Sequence, residues 1–385
     1  MIFSFYILSF FCLLSCGVDA YGPLGYPSCT QLGPSNLPCP SCTQNGLPCP
    51  VPIGWSEQAN WNLTQSTVIQ PRSEDYFMPK HPWGLISLDW GTAKNVWFTG
   101  DNKTSTCEKT SVENCRMLKA SGLVSRCFIY HNMLLALQIL ESQREVMYDP
   151  TKKDWFIQYT DGQGNKNGTI YNEPMAYGDQ YFWDFRVPAA RDYYISSILA
   201  VVGDSAVDGT FTDDISGFPE EHPSVQNNTN MTLSEIVDWQ YNTRLLSQTL
   251  INALAHSGKG NWQAFYGFLD WVGPSPNSTT CTAFLREFCQ PSYQGRLMTM
   301  DAGKDAAEHP QIVASFLITR PPVAYLGWGW ESDDSLWDDI FLLQVGEAQG
   351  LCQEETPGVF TRQYTNGKAQ LDCNNWKADL PFPSL

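Results

Sequence analysis

The chain has 385 residues, 43% of them hydrophobic and 13% aromatic, with 14 Trp and a formal net charge of −17. Such a length exceeds one small core and suits one large domain or two smaller ones. The acidic balance offers no basic stripe to neutralise phosphates, which argues against nucleic acid as a partner.

The first twenty residues, MIFSFYILSFFCLLSCGVDA, are an apolar run ending in small residues, the pattern of a secretory signal cleaved after Ala20. No Lys or Arg precedes the run, and Leu13-Leu14-Ser15-Cys16 also has the shape of a bacterial lipobox. Six Asn-x-Thr sequons, at Asn62, Asn102, Asn167, Asn227, Asn230 and Asn277, favour a secreted, extracellular glycoprotein, in solution or at a cell surface or wall. After the signal no stretch reaches the ~18 apolar residues of a membrane helix. Residues 21–54 are rich in Pro, Ser, Gly and Cys and repeat Pro-Ser-Cys-Thr-Gln and Leu-Pro-Cys-Pro. They read as an extended tail or linker tied by Cys29, Cys39, Cys42 and Cys49. Cys39 and Cys42 have zinc-ligand spacing, but prolines flank Cys39 and no His lies near, so no metal is expected. Elsewhere, spacing pairs Cys107 with Cys115, Cys281 with Cys289 and Cys352 with Cys373, leaving Cys127 as a buried thiol.

The main domain then runs over 55–385. Gly84–Trp90 is an apolar strand ending in Asp89 and Trp90, and the helix from Cys107 to Lys119 stops at Gly122. Leu123–Tyr130 is the second strand, ending at His131 and Asn132, and Met133–Met147 reads as a helix. Gln180–Arg186 is a further strand carrying Asp184 and Arg186, and Pro188 opens a helix at its first turn. Residues Val207–Asp214 alternate so that Phe211 and Asp213 share one face of a strand. Thr232 and Glu235 make a capping box for a helix reaching His256. Later strands end at Asp270 with Trp271, at Asp301, and at Trp328, Trp330 and Glu331. Helices are expected over 305–319 and 333–346, and Gly358–Asp372 is a hairpin with an Asn-Gly turn. Apolar strands and amphipathic helices alternating about seven times predict an α/β fold on a parallel sheet. The expectation is a (β/α)8 TIM-like barrel with one irregular unit and a C-terminal β-hairpin. A doubly wound sheet would carry a glycine-rich phosphate turn after its first strand, where this chain has Asp89-Trp90-Gly91-Thr92.

In such a barrel the carboxyl ends of the strands meet at one mouth. Strand ends here carry Asp89, His131, Asp184, Asp213 or Asp214, Asp270, Asp301 and Glu331, interleaved with Trp90, Trp183, Trp271, Trp328 and Trp330. Carboxylates among aromatic planes, with no metal cluster, suit glycoside hydrolysis. One carboxylate attacks or steadies an oxocarbenium-like centre and a second, kept protonated, protonates the leaving oxygen. The five His are scattered, and His131 reads as a hydrogen-bonded barrel residue.

Val207-Asp-Gly-Thr-Phe-Thr-Asp-Asp214 resembles the strand-four motif of barrel-type hypothetical glycosyl hydrolases, including the endo-α-galactosaminidase-like family 114. Phe182-Trp-Asp-Phe-Arg-Val-Pro-Ala-Ala-Arg-Asp192 resembles their preceding segment, and Phe360-Thr-Arg-Gln-Tyr-Thr-Asn-Gly367 with Leu371-Asp372-Cys373 resembles their closing strands. The likeness spans residues from about 80 to 375 loosely. It implies Asp213 as nucleophile or base, with Asp214 supporting it. Asp184 and Arg186 would position substrate, or pair with each other. Where the family has a catalytic Glu on a later strand this chain has Asp270, and Glu331 is the other candidate acid. Asp89, Trp90, Trp271, Asp301, Trp328 and Trp330 would bind substrate. No cofactor is implied. The expected ligand is a polysaccharide or glycan, and the oligomeric state is left open. The alternative is a non-catalytic carbohydrate-binding or cell-surface structural glycoprotein on the same barrel.

Overall fold

The computed structural model describes residues 59–71, 76–91, 107–161, 163, 165–175, 178–214, 225, 228–262, 266–267, 277–291, 298–301, 306–330 and 332–384. In chain order its elements begin with β1 (Thr67–Gln70), β2 (Trp83–Leu88), α1 (Cys107–Ser121), β3 (Val124–Asn132), β4 (Leu135–Leu137) and α2 (Glu141–Met147). Next come β5 (Gln158–Thr160), β6 (Lys166–Ile170), β7 (Asn172–Met175), β8 (Gly178–Phe182), α3 (Pro188–Val202), β9 (Gly209–Asp213) and α4 (Leu233–His256). The chain continues with β10 (Gly260–Trp262), β11 (Tyr266–Gly267), α5 (Ser278–Phe288), β12 (Met298–Asp301), α6 (His309–Thr319) and β13 (Ala324–Trp330). It closes with β14 (Gln353–Thr356), β15 (Val359–Tyr364), β16 (Gly367–Asp372) and β17 (Lys377–Asp379). Two compact units result. One comprises Asn132–Ser197 with Asp213–Leu250, the other Val51–His131, Ile198–Thr212 and Ile251–Leu385. The signal and the cysteine-rich tail lie outside the described residues.

The second unit is built on one sheet with the order β10-β9-β3-β2-β1-β13-β12-β11. Its registers are parallel. The order follows the chain except that β1 lies beside β13. Its two outer strands, β10 and β11, are separated in sequence by residues 263–265 alone. A chain that short spans at most roughly 14 Å. The sheet therefore curls until its edges approach, and the architecture is barrel-like.

Alternation along the strands divides the sheet into two faces. Cys127 is bonded to Cys115 of α1, and Trp328 donates to His309 of α6, so their face is the one covered by helices. Phe128, Phe211 and Trp262 occupy the opposite, inner face, with ring centroids 4.9 Å apart for Phe211–Trp262 and 6.2 Å for Phe128–Trp262. Gly209 belongs to this inner row. A Cβ there would lie 2.3 Å from the Gly260 carbonyl oxygen and 2.6 Å from the Phe128 ring, so glycine is what lets the aromatics fill the centre.

Local signals held where they were strongest. Gly122 ends α1 at φ 73°, a backbone conformation that disfavours side chains, and its N–H reaches the Lys119 carbonyl. Pro188 opens α3. The Thr232 and Glu235 side chains exchange the two capping-box hydrogen bonds, at 2.8 and 3.3 Å.

Other expectations are corrected. Met133–Met147 is not one helix: the Asn132 Oδ1 atom accepts from the Leu134 and Leu135 amides and turns the chain. Leu135–Leu137 then pairs antiparallel with β8, and helix begins only at Glu141. An apolar run of that length suits either structure, and tertiary pairing decides. Residues 180–186 are likewise not a strand of the barrel-like sheet; β8 joins β4 and β7 in a small antiparallel sheet of the first unit. Over 333–346 there are two short 3-10 turns, capped by the Asp333 and Asp338 side chains, because Trp337 is extended between them. The C-terminal hairpin is part of a four-stranded antiparallel sheet, with Thr365 and Asn366 between its central strands.

The disulfides also differ. Among the described residues the bonds are Cys115–Cys127, Cys281–Cys373 and Cys289–Cys352, each with a Cα–Cα separation of 5.6 Å. Cys107, not Cys127, remains a buried thiol. Cys107 and Cys115 share α1, and Cys281 shares α5 with its C-cap Cys289. Eight residues along a helix rise ~12 Å, beyond the reach of a disulfide. The two C-terminal bonds instead fasten α5 to the antiparallel sheet.

Candidate functional site

In the first unit the twin acids after β9 have a defined scaffold. Asp213 closes the strand, its carbonyl accepting from the Met133 amide at 2.9 Å and its Oδ1 from the Asp214 amide at 2.9 Å. Asp214 adopts φ 55°, a region that non-glycine residues occupy at a cost and that Asp tolerates better than most. Its Oδ2 accepts from Asn132 Nδ2 at 2.6 Å. Asn132 is fixed in turn: its carbonyl accepts from the buried Tyr194 hydroxyl at 2.9 Å, and burial raises that hydroxyl's pKa so that it stays a neutral donor. Both carboxylates are half-buried. Asp214 is thereby tied to Asn132, while Asp213 is presented at the strand end.

In the second unit a polar row lines the inner face near the carboxyl ends of β1 and β2. Ser87 is in register with Phe128, which sets it on the inner face, and Asp89 follows two residues on. Ile69 pairs with Ile86, so Gln70 falls beside Ser87. Gln70, Ser87 and Asp89 are 1%, 0% and 2% exposed. Among the described residues neither the Gln70 amide group nor the Ser87 hydroxyl has a hydrogen-bond partner. Native interiors seldom leave such groups unmatched, and an inward row of them suits the hydroxyls of a bound polyol. Sequence reading found Asp89 and missed Gln70 and Ser87. Its signal would have been polar residues at inward positions of otherwise apolar strands. Trp90, next along, is half-buried, and Asp301 closes β12 in register with Gly327.

Asp184 and Arg186 pair with one another. The guanidinium Nε and Nη2 donate to the two carboxylate oxygens at 2.7 and 2.8 Å, and Lys166 adds a contact at 3.2 Å. Burial would raise the Asp184 pKa, but the hydrogen bonds and charge of Arg186, then Lys166, outweigh it and hold the carboxyl below its usual value. Arg186 also lies 3.7 Å from Glu235 at the start of α4. This is an ion-pair hub of the first unit, and Asp184 follows a strand of its antiparallel sheet.

Trp328 is corrected as a sugar platform: it is 2% exposed, donates from Nε1 to His309 Nε2 at 3.0 Å, and packs on Trp83 and Phe341. His131 faces the helices, between Thr210 Oγ1 at 3.2 Å and Glu108 Oε1 at 3.3 Å. Asp270, Trp271 and Glu331 lie outside the described residues, as do Asn102 and Asn227. Trp330 is the last residue of β13. The sequons at Asn62, Asn167, Asn230 and Asn277 have exposed asparagines. No group of three or more His, Cys, Asp or Glu among the described residues could hold a metal ion. None of the helices searched is long and apolar enough to cross a membrane.

No family profile matches the chain. No curated protein matches it either. Among solved structures it is similar to a GH31 dextranase from Flavobacterium johnsoniae, complexed with glucose, at 14% identity and a TM-score of 0.40, over 71% of this chain and 37% of that one. It is similar to a glucosidase II alpha subunit at 14% identity and TM-score 0.40, over 70% of this chain and 32% of that one. A third likeness is to Aspergillus fumigatus Ega3, in complex with galactosamine, at 9% identity and TM-score 0.35, over 65% and 82% of the two chains. The chain thus spans little more than a third of the dextranase and about a third of the glucosidase subunit. These structural neighbours are glycoside hydrolases or, for Ega3, a protein bound to an amino sugar.

Proposed function

We propose that the protein is a secreted, glycosylated glycoside hydrolase that cleaves a polysaccharide or glycan through a carboxylate pair. The observation that carries this reading is Asp213: it ends a strand of a parallel, curled sheet, where loops converge, and Asp214 is held in a strained conformation beside it. Asp213 is assigned as nucleophile or base. The acid is Asp270 or Glu331, and Gln70, Ser87 and Asp89 are assigned to sugar hydroxyls. We take the sheet to be a closed barrel in which 260–267 supplies both edges, giving seven strand positions and not eight. The residues Asp214, Asp301, Trp90, Trp271 and Trp330 are assigned to substrate binding.

The test is a glycan panel assayed with wild type, Asp213→Asn, Asp270→Asn and Glu331→Gln. Activity on one glycan, lowered at least ~100-fold in Asp213→Asn and in one of the other two, is the expected result. An Asp213→Asn protein as active as wild type would sink the assignment.

A further inference from the structure

We infer that the first unit carries a second, non-catalytic saccharide-binding pocket on its β5–β8 face. This open depression has a volume of about 460 Å³, within the roughly 300–1,000 Å³ of small-ligand sites. Its walls come from Asn132–Ser197 alone, so it is complete within that unit.

The lining has the chemistry of a sugar site. Tyr148, Tyr159 and Tyr181 give aromatic surface, and Tyr148 is 63% exposed at the rim. Such rings bury the C–H face of a pyranose while their hydroxyls stay within reach of polar partners. The polar groups are placed and not adaptable. Tyr159 donates its hydroxyl proton to the Asn172 carbonyl at 3.1 Å, and Gln138 Nε2 donates to the Tyr181 hydroxyl at 3.0 Å. Asn172 Oδ1 is buried and, among the described residues, accepts no hydrogen bond. Such an acceptor is seldom left unmatched, and a small shift at the pocket wall would offer it to an incoming hydroxyl. Among the described residues Lys153 is the one ionisable amine on the wall, and none of those lining the pocket is a carboxylate. The combination favours a neutral, hydroxyl-rich ligand over a cation.

Two sources could supply that ligand. One is a free oligosaccharide. The other is the stem of a glycan on this chain, because Gly168 and Thr169 of the Asn167-Gly168-Thr169 sequon form part of the wall and Asn167 itself is exposed. The inference does not depend on catalysis at Asp213.

Calorimetric titration of the full chain with chitobiose, as a mimic of a glycan stem, and with a set of neutral disaccharides and trisaccharides tests it. Five forms are needed: glycosylated wild type, Asn167→Gln, and Asn167→Gln combined with Tyr148→Ala, with Asn172→Ala or with Asp213→Asn. Tyr148 lies at the surface and Asn172 Oδ1 has no partner to lose, so both variants are expected to fold, which circular dichroism verifies. The Asn167→Gln form should bind at least one sugar, at least tenfold more weakly after either pocket substitution and unchanged by adding Asp213→Asn. Equal binding by glycosylated wild type assigns the pocket to free oligosaccharide. Binding only after Asn167→Gln assigns it to the chain's own glycan. Folded Asn167→Gln protein that binds none of the sugars, or binds one regardless of Tyr148 and Asn172, overturns the inference.

Discussion

Ser87 and Gln70 are buried polar side chains with no hydrogen-bond partner among the described residues, a condition that costs about 1–3 kcal/mol per group. If their purpose is to meet a ligand, removing them should help the fold and harm the function. Ser87→Ala and Gln70→Leu are therefore expected to raise the denaturant midpoint while lowering glycan binding or cleavage. A variant both less stable and fully active would contradict that placement. At this scale the sequence was informative wherever a residue's role follows from its neighbours in the chain. Gly122, Pro188 and the Thr232–Glu235 box act within a few residues and were legible. The alternation of Phe211 with Asp213 also survived, because a two-residue period needs no tertiary knowledge. Trp328 was misjudged for the opposite reason. Which face of a strand meets helices depends on partners such as His309, and no local pattern states it.

Among the elements, the segment from β8 to α4 shows how an acidic residue can imitate a catalytic one. Asp184 follows an apolar strand, as a barrel acid would, yet its oxygens are taken by Arg186 and Lys166. Because the folded pKa is depressed, the pair's contribution is complete above the ordinary Asp value of 3.8 and is lost as pH falls through the lower folded value. Wild type should thus lose stability in that acid window. Arg186→Met should be less stable at neutral pH by on the order of 3 kcal/mol, since a buried carboxylate loses its main partner. The variant's loss should shrink below pH 4, where Asp184 can protonate; urea midpoints across pH 2–7 would show it. A constant difference at every pH would mean that Arg186 acts through packing alone. The strand-or-helix ambiguity of Met133–Met147 belongs here too: five apolar residues in a row fit both periods, and only the pairing of Leu135 with Phe182 separates them.

At the scale of the molecule, the three disulfides among the described residues have sequence separations of 12, 92 and 63 residues. Loop-closure entropy gives ~3 kcal/mol for a loop near 15 residues and ~4.7 for one near 100, so the two C-terminal bonds should matter more. Mass mapping of an unreduced digest should recover the 115–127, 281–373 and 289–352 pairs, with Cys107 alkylated only after unfolding. A 107–115 or 281–289 peptide would refute this connectivity. Nearest-spacing logic failed because it ignored the helices that the same sequence announced. The parallel sheet itself was legible from the strand–helix rhythm, whereas the insertion of an antiparallel sheet between β3 and β9 was not: its strands alternate like any others.

The pairing of β1 with β13 has a consequence in time as well as in space. Asn60 donates to the carbonyl of Ala324 across 264 residues, and Val68 lies beside Gly327. A ribosome adding ~5–20 residues per second needs on the order of 13–50 seconds to bring the second partner out after the first. For that interval the apolar edge of β1 has no mate. Until the last fifth of the chain is made that edge is open to other chains, and any variant that delays its partner's arrival should aggregate more during synthesis.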